Sequence, residues 1–327
     1  MTAHLSESTR RLEAAAEAAL HAPSVFNTQP WRWRVTADTL ELYADPDRRL
    51  AATDPAGRLL LISCGTALHH ARTALAAAGW SAAVERLPDP ARPELLALVR
   101  LGQPAPADPD AERMAAAISR RRTDRRAYGA EPVSGQTLTR LRRCVESEGA
   151  YLHVVPDDQV PMLGIAAERA AAAEQGDPAY REELQRWTNR PPGRGDGVQA
   201  ETAVEPTLRR VPVRDFAPGG DAGLRAGAGV DRGAAYVVVF GTTDRRIDLL
   251  RGGEALSALL LLATAEGLAT APLSEAVEVT WTRRLLTTLL ADIGEPYIAV
   301  RLGHLPAGEP LPPRPRRAAR EAIETQR

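Results

Sequence analysis

The sequence predicts an α+β fold: a mixed, mainly antiparallel sheet flanked by helices and built from two pseudo-equivalent halves. Three observations predict it. Short motifs recur in the same order across residues 41–104 and 238–306, with Asp47-Arg48-Arg49-Leu50 matched by Asp244-Arg245-Arg246-Ile247, each after a β-prone run at 40–43 or 236–240. Gly65-x-Ala67-Leu68 is matched by Gly253-x-Ala255-Leu256. A second glycine, Gly79 or Gly267, follows at the same interval, and apolar residues recur at helical spacing between, so each half predicts a long helix with a glycine C-cap. Each half then closes on Val-Arg-Leu-Gly, at Val99-Arg100-Leu101-Gly102 and Val300-Arg301-Leu302-Gly303. Ala83-Val84-Glu85 and Ala276-Val277-Glu278 extend the match.

Taken in order, an Ala-rich helix opens the chain and stops at Pro23 and Ser24. Asn27, Thr28 and Gln29 then place three amide or hydroxyl side chains in a row before Pro30-Trp31 leads into a strand, which makes 22–31 a loop built to offer hydrogen bonds. The two halves differ after the long helix: Gly267 to Ala276 is five residues longer than Gly79 to Ala83. The surplus falls within Thr270, Ala271, Pro272, Leu273, Ser274 and Glu275 and predicts a loop whose backbone N–H groups face a ligand. The second half opens on five arginines within 120–126, around Thr123 and Asp124. Such a run needs solvent or an anion, and a hydroxyl inside it with arginines able to grip oxygens in pairs favours phosphate. Residues 191–233 are rich in Gly and Pro and predict a mobile cover of about this extent, or disorder. The halves divide as 1–105 and 106–327.

Composition narrows the chemistry. A chain of 327 residues with 44% hydrophobic and 25% charged residues can bury a large core. Its net charge of −1 excludes a general nucleic-acid binder. All 41 Lys+Arg residues are arginine, which removes Schiff-base and pyridoxal chemistry and the Walker-type phosphate loop. Cys64 and Cys144 stand far apart without a C-x-x-C partner, so both are expected as buried small hydrophobes and not as a disulfide or zinc site. His69-His70 on the long helix lack ligand spacing, and no metal is expected. Without a signal-peptide core or a membrane-length apolar run, a cytoplasmic protein is expected.

APSVFNTQPW at 22–31 resembles the P-S-x-x-N-x-Q-P-W signature of the FMN-dependent nitroreductase family, and R-R-T-D-R-R-A-Y resembles its R-R-S-x-R-x-F motif. With the duplicated chain, the resemblance is to the family's Acg-like branch and covers essentially the whole length. It implies a nitroreductase-like fold that is an intramolecular pseudo-dimer, monomeric or homodimeric, with FMN bound and NAD(P)H as donor. By this likeness Pro23, Ser24, Val25, Asn27 and Gln29 meet the flavin ring and ribityl chain. Arg121, Arg122, Thr123 and Arg125 hold the phosphate and ribityl chain, with Tyr128 in the aromatic position; Arg314, Arg316 and Arg317 finish the phosphate site. Pro272, Leu273, Ser274 and Glu275 lie beside flavin N5 by the same likeness; from their position alone, just before the 191–233 stretch, Trp187, Asn189 and Arg190 are expected at the pyrimidine end.

The first half offers only Glu7-Ser8-Thr9-Arg10-Arg11 where the second has its arginine cluster, so one complete and one degenerate site are expected per chain. Phe26 stands where the branch commonly carries His and is assigned to the substrate pocket. The chemistry implied is hydride transfer through flavin N5, with no catalytic side chain, to a nitroaromatic, quinone or unsaturated small molecule. The alternatives are an FMN-storing protein without general reductase turnover, and a specialised biosynthetic flavoenzyme.

Overall fold

Helix α1 (Glu7–Ala19) starts at Ser6, whose hydroxyl accepts the Thr9 N–H at 3.1 Å, and buries one stripe: Leu12, Ala15, Ala16 and Ala19. The computed structural model describes residues 6–106, 108–188, 190–191, 193–218, 222–227, 230–305 and 311–326. Strands β1 (Trp31–Val35) and β2 (Thr39–Ala44) form an antiparallel hairpin with Trp33 opposite Leu42, and the alternate residues Trp31, Trp33, Val35, Leu40 and Leu42 face the core. Helix α2 (Arg58–Ala77), β3 (Trp80–Arg86) and β4 (Leu95–Pro104) complete the unit.

The second round adds α3 (Pro109–Ile118), α4 (Gly135–Ser147), β5 (Tyr151–Val154), α5 (Val160–Gly176) and α6 (Pro178–Thr188). It then runs β6 (Ala235–Gly241), α7 (Arg246–Ala265), β7 (Ala269–Leu273), α8 (Glu275–Glu278), α9 (Thr280–Leu289) and β8 (Glu295–Gly303).

The two sheets repeat one topology. The first runs β3-β4-β2-β1 and the second β7-β8-β6-β5, with every neighbouring pair antiparallel. The pairing slips at the same place in each, between Leu42 and Tyr43 and between Val239 and Phe240. A bulge at matching positions is what a duplicated unit predicts, since one inserted residue re-aims every side chain beyond it. After α10 (Ala319–Ala322), β9 (Ile323–Thr325) pairs parallel with β1, so the chain's end returns to the first sheet.

Helices α2 and α7 are buried on nearly every side and cross at the two glycines of the repeat. A Cβ on Gly65 would lie 2.1 Å from the Leu250 carbonyl oxygen, and one on Gly253 would lie 2.0 Å from that of Ile62. The repeated Gly-x-Ala-Leu is therefore the point where two backbones touch. His69 and His70 sit in this crossing, each with Nδ1 on Ser257 Oγ, at 2.8 and 2.9 Å. Burial drives the His69 imidazole down to about 3, so it stays neutral and structural.

Two readings of the repeat are corrected. The stretch 270–275 is no loop: Thr270, Ala271, Pro272 and Leu273 are strand β7, and Glu275 opens α8. Nor is Ala276-Val277-Glu278 the equivalent of Ala83-Val84-Glu85, for the first is helical and the second lies in β3. The paired registers equate Ala83 with Ala271, opposite Arg100 and Arg301. The extra residues of the second half thus come after its strand, as α8 and α9. Among the described residues, no helix is long and apolar enough to cross a membrane and no group of side chains could hold a metal. Cys64 is buried and Cys144 only half-buried; both are free.

Candidate functional site

The loop after α1 is bent in a way its sequence alone did not announce. Phe26, Asn27 and Gln29 all take left-handed backbone angles, with φ of 51°, 53° and 50°. Each costs on the order of 1–3 kcal/mol in a residue other than glycine, so the surroundings must hold it. They do. Ser24 Oγ accepts the Gln29 N–H at 2.9 Å; Gln29 Nε2 donates to the Gly195 carbonyl at 2.8 Å, and its Oε1 accepts the Arg317 N–H at 3.1 Å. Asn27 Nδ2 donates to the carbonyls of Gly197 and Pro315, while Oδ1 accepts from Arg316 at 2.8 Å. Arg317 donates to the carbonyls of Gln29 and Trp31 at 3.1 Å each. The loop is fixed by the 191–233 segment on one side and the C-terminal tail on the other.

Its inner face lines a cavity with about 950 Å³ of space between its walls, open mouth included. Pro23, Ser24, Val25, Phe26 and Asn27 line it from one segment, Pro272, Leu273, Ser274 and Glu275 from another, and Thr123, Arg125 and Arg314 from two more. Ile62, Leu256 and Ile298 add apolar surface, with Ser63 and Thr66 of α2 beside them. Gly197, Val198, Gln199, Thr202, Arg214 and Phe216 cover it, so part of the 191–233 segment lies over the cavity as a cover would. Of that segment, Gly219, Gly220 and Gly229 lie outside the described residues, as does Asn189.

Gln29 and Arg317 do not line the cavity, because each is occupied in fixing the loop against the tail. Asn27 lines it with its side chain already committed to three protein partners. Trp187 is buried in the cover's own apolar cluster; Arg190 lies 4.5 Å over its ring and pairs with Asp196 at 2.9 Å, so neither reaches the cavity.

Arg121, Arg122 and Arg316 do not line the cavity either, but they neighbour Arg314, which does. Arg121 is 1% exposed, yet none of its three guanidinium nitrogens has a hydrogen-bond partner. Arg122 Nε and Arg316 Nε are likewise unpartnered. Burial, reinforced by Arg316 and Arg122, depresses Arg121 to about 9; burial with Arg314 and Arg122 does the same to Arg316. Arg314 is pushed well below its usual range by burial and by Arg121, Arg125 and Arg122. No carboxylate offsets these three. A buried cluster of like charges with empty donors is unstable by itself and complementary to a multiply charged anion.

At the cover's side the fold assembles a group that no sequence pattern announces. Arg214 lies over the Phe26 ring at 4.8 Å and contacts three carboxylates: Glu278 at 2.6 Å, Glu275 at 3.1 Å and Glu174 at 3.7 Å. Phe216 meets Phe26 edge-on at 5.6 Å between centroids, and Arg125 lies 4.4 Å over the Phe216 ring. Burial, with Glu278 and Glu275 adding to it against the pull of Arg214, pushes the Glu174 carboxyl up to about 9. These residues come from an irregular segment and from helices far apart in the chain, and only tertiary packing unites them.

Applying the repeat to the cavity wall exposes an asymmetry. Counting from Gly65 and Gly253, Thr66 corresponds to Glu254, and one step past the paired strands Ser274 corresponds to Arg86. Where the cavity passes between Thr66 and Ser274, the symmetric position is bridged. Arg86 donates twice to the fully buried Glu254, at 2.6 and 2.9 Å, and Arg72 links Glu254 to Glu148 at 2.6 Å each.

No known family model matches the chain. Individual relatives do. It is 40% identical over 310 residues to "Putative NAD(P)H nitroreductase Rv3131" of Mycobacterium tuberculosis, covering 94% of this chain and 89% of that one. It is 36% identical over 319 residues to "Putative NAD(P)H nitroreductase acg" of the same organism, covering 96% of each. The chain belongs to the nitroreductase family, in its Acg-like branch. Among solved structures, a nitroreductase with bound FMN from Desulfitobacterium hafniense DCB-2 matches at 14% identity, with 61% of this chain and 92% of that one covered and a TM-score of 0.39. As an Acg-like nitroreductase, the chain carries its duplicated unit within one polypeptide.

Proposed function

We propose that this Acg-like protein is an FMN-dependent oxidoreductase of nitroreductase type, taking reducing equivalents from NAD(P)H and passing them to a nitroaromatic, quinone or unsaturated small molecule. The observation that carries the reading is Arg121, a guanidinium buried to 1% exposure with three empty donors, which neighbours Arg314 of the cavity wall. With Arg122, Arg314 and Arg316 it supplies the charge and donors a phosphate dianion requires.

The residues fit the whole cofactor. Ser24 and Thr123 on the cavity wall suit ribityl hydroxyls; Arg125 adds a cation stacked on Phe216; Val25, Ile62, Leu256 and Leu273 offer apolar surface to a flat ring. Bound there, FMN supplies two-electron hydride chemistry at N5. The chain's part is to anchor the phosphate, to hold Pro272, Leu273, Ser274 and Glu275 against the ring, and to exclude water beneath Val198 and Phe216. The bridge of Arg86 and Glu254 across the symmetric position supports one flavin per chain.

A second reading, storage of FMN beneath the cover, is favoured by the closed contact of Phe216 on Phe26. Anaerobic mixing of FMN-loaded protein with NADPH separates the two. Bleaching of the flavin band within catalytic times supports the reductase, and a persistent yellow colour refutes it. Arg121→Ala should lower flavin occupancy, and unchanged occupancy would overturn the phosphate site.

A further inference from the structure

Reduction of any such acceptor consumes a proton with each hydride, and the cover restricts water's approach. We propose that the cluster of Glu174, Arg214, Glu275 and Glu278 holds one proton at neutral pH, and that Glu275 delivers it to the acceptor reduced in the cavity. The inference rests on the oxidoreductase reading. Among the described residues lining the cavity, Glu275 is the one acid. Behind it, Arg214 is shared by Glu278, Glu275 and Glu174 at 2.6, 3.1 and 3.7 Å.

Helix α5 gives Glu174, α6 gives Tyr180 with Arg214 5.8 Å over its ring, the cover gives Arg214, α8 gives Glu275 and Glu278, and Arg125, also on the cavity wall, acts on Glu275. Helix α9, packed on α5 and α8, brings Arg283, whose Nη1 donates to the Val277 carbonyl at 3.4 Å. Tyr180 stays neutral, its phenol pushed up by burial. Two cations thus meet three carboxylates, and one bound proton brings the buried group to neutrality. Both oxygens of Glu174, which is 6% exposed, and Oε1 of Glu278 have no hydrogen-bond donor, as expected where a shared proton completes the set. Burial raises the Glu275 carboxyl as well, which favours an acid that is protonated before reaction.

The step balances. With reduced FMN bound, the acceptor would receive hydride at one atom of its double bond, and the electron pair of that bond would move to the other atom. That atom takes the proton from the Glu275 carboxyl, whose O–H electron pair remains on the carboxylate beside Arg214. Acceptor is reduced, flavin oxidised, and the cluster reloads one proton from water.

The test uses FMN-loaded protein reduced with dithionite, so the nicotinamide donor plays no part, and then mixed with p-benzoquinone. In Glu275→Gln, reoxidation should slow about 100-fold and lose its pH dependence and solvent isotope effect, while the flavin stays bound by its absorbance. In the native protein the rate should fall as pH rises through the cluster's titration. An unchanged rate and pH profile in Glu275→Gln overturns the proposal. Reduced native protein that the quinone does not reoxidise refutes the oxidoreductase reading and the delivery with it. The stored proton is read separately, on flavin-free protein, as a carboxylic acid C=O stretch at neutral pH that Glu275→Gln or Glu174→Gln reduces; no such band overturns the storage.

Discussion

Replacing Arg121 by Met should stabilise the flavin-free protein while weakening FMN binding. Met keeps an unbranched stem of similar length and removes the charge and all three unpartnered donors. The depression of Arg121 from 12.5 to about 9 corresponds, at about 1.4 kcal/mol per unit, to roughly 5 kcal/mol of unfavourable charge burial. Relaxation and water entry reduce that figure, so a gain of about 2–5 kcal/mol is expected, or roughly 3–7 °C in Tm. The sign follows from linkage. A base whose folded pKa is depressed leaves the unfolded chain holding more protons between about 9 and 12.5, so the native form gains stability as pH rises through that window and Met abolishes the gain. At saturating FMN that advantage shrinks by about 3 kcal/mol, because two charge-assisted hydrogen bonds at about 1.5 kcal/mol each are lost, a weakening of binding of roughly 100-fold. Thermal unfolding of flavin-free and FMN-saturated protein, with flavin titration, checks both halves. A variant that melts lower without flavin and binds FMN equally well would refute the reasoning.

Flavin content read from absorbance against protein concentration should saturate near one FMN per chain, and two would disprove that Arg86 and Glu254 fill the symmetric position. Gly65→Ala should lower Tm by roughly 4 °C, about 3 kcal/mol, since the added Cβ meets a backbone oxygen at 2.1 Å that cannot yield without parting α2 from α7. Gln29→Leu strands the Gly195 carbonyl and the Arg317 N–H, at a cost of about 2–3 kcal/mol, and should speed flavin release by loosening the loop. Native-like stability and release would show that Gln29 does not position the loop.

Much of the fold was legible because duplication writes the same constraints twice. Gly65 and Gly253 recur because two backbones touch there, and the paired Val-Arg-Leu-Gly strands recur because each ends an equivalent sheet. The match of Ala83-Val84-Glu85 with Ala276-Val277-Glu278 failed for the complementary reason. Three common residues fit β3 and α8 alike, and only strand pairing separates them.

By itself the sequence determined the α+β class, the repeated unit, the hydrogen-bonding loop at 22–31 and the arginine run at 120–126, since each depends on local spacing and side-chain chemistry. Tertiary structure decided which groups remain free to act. Gln29 and Arg317 satisfy one another, Arg190 turns to Asp196, and Arg121 is left buried with nothing to hold. It also decided that Arg214, from the segment with least sequence pattern, meets carboxylates of α5 and α8 beside Phe26. A residue's type states which bonds it can make. Whether a partner arrives depends on the path of the chain, and burial then makes the unmet bonds costly enough to matter.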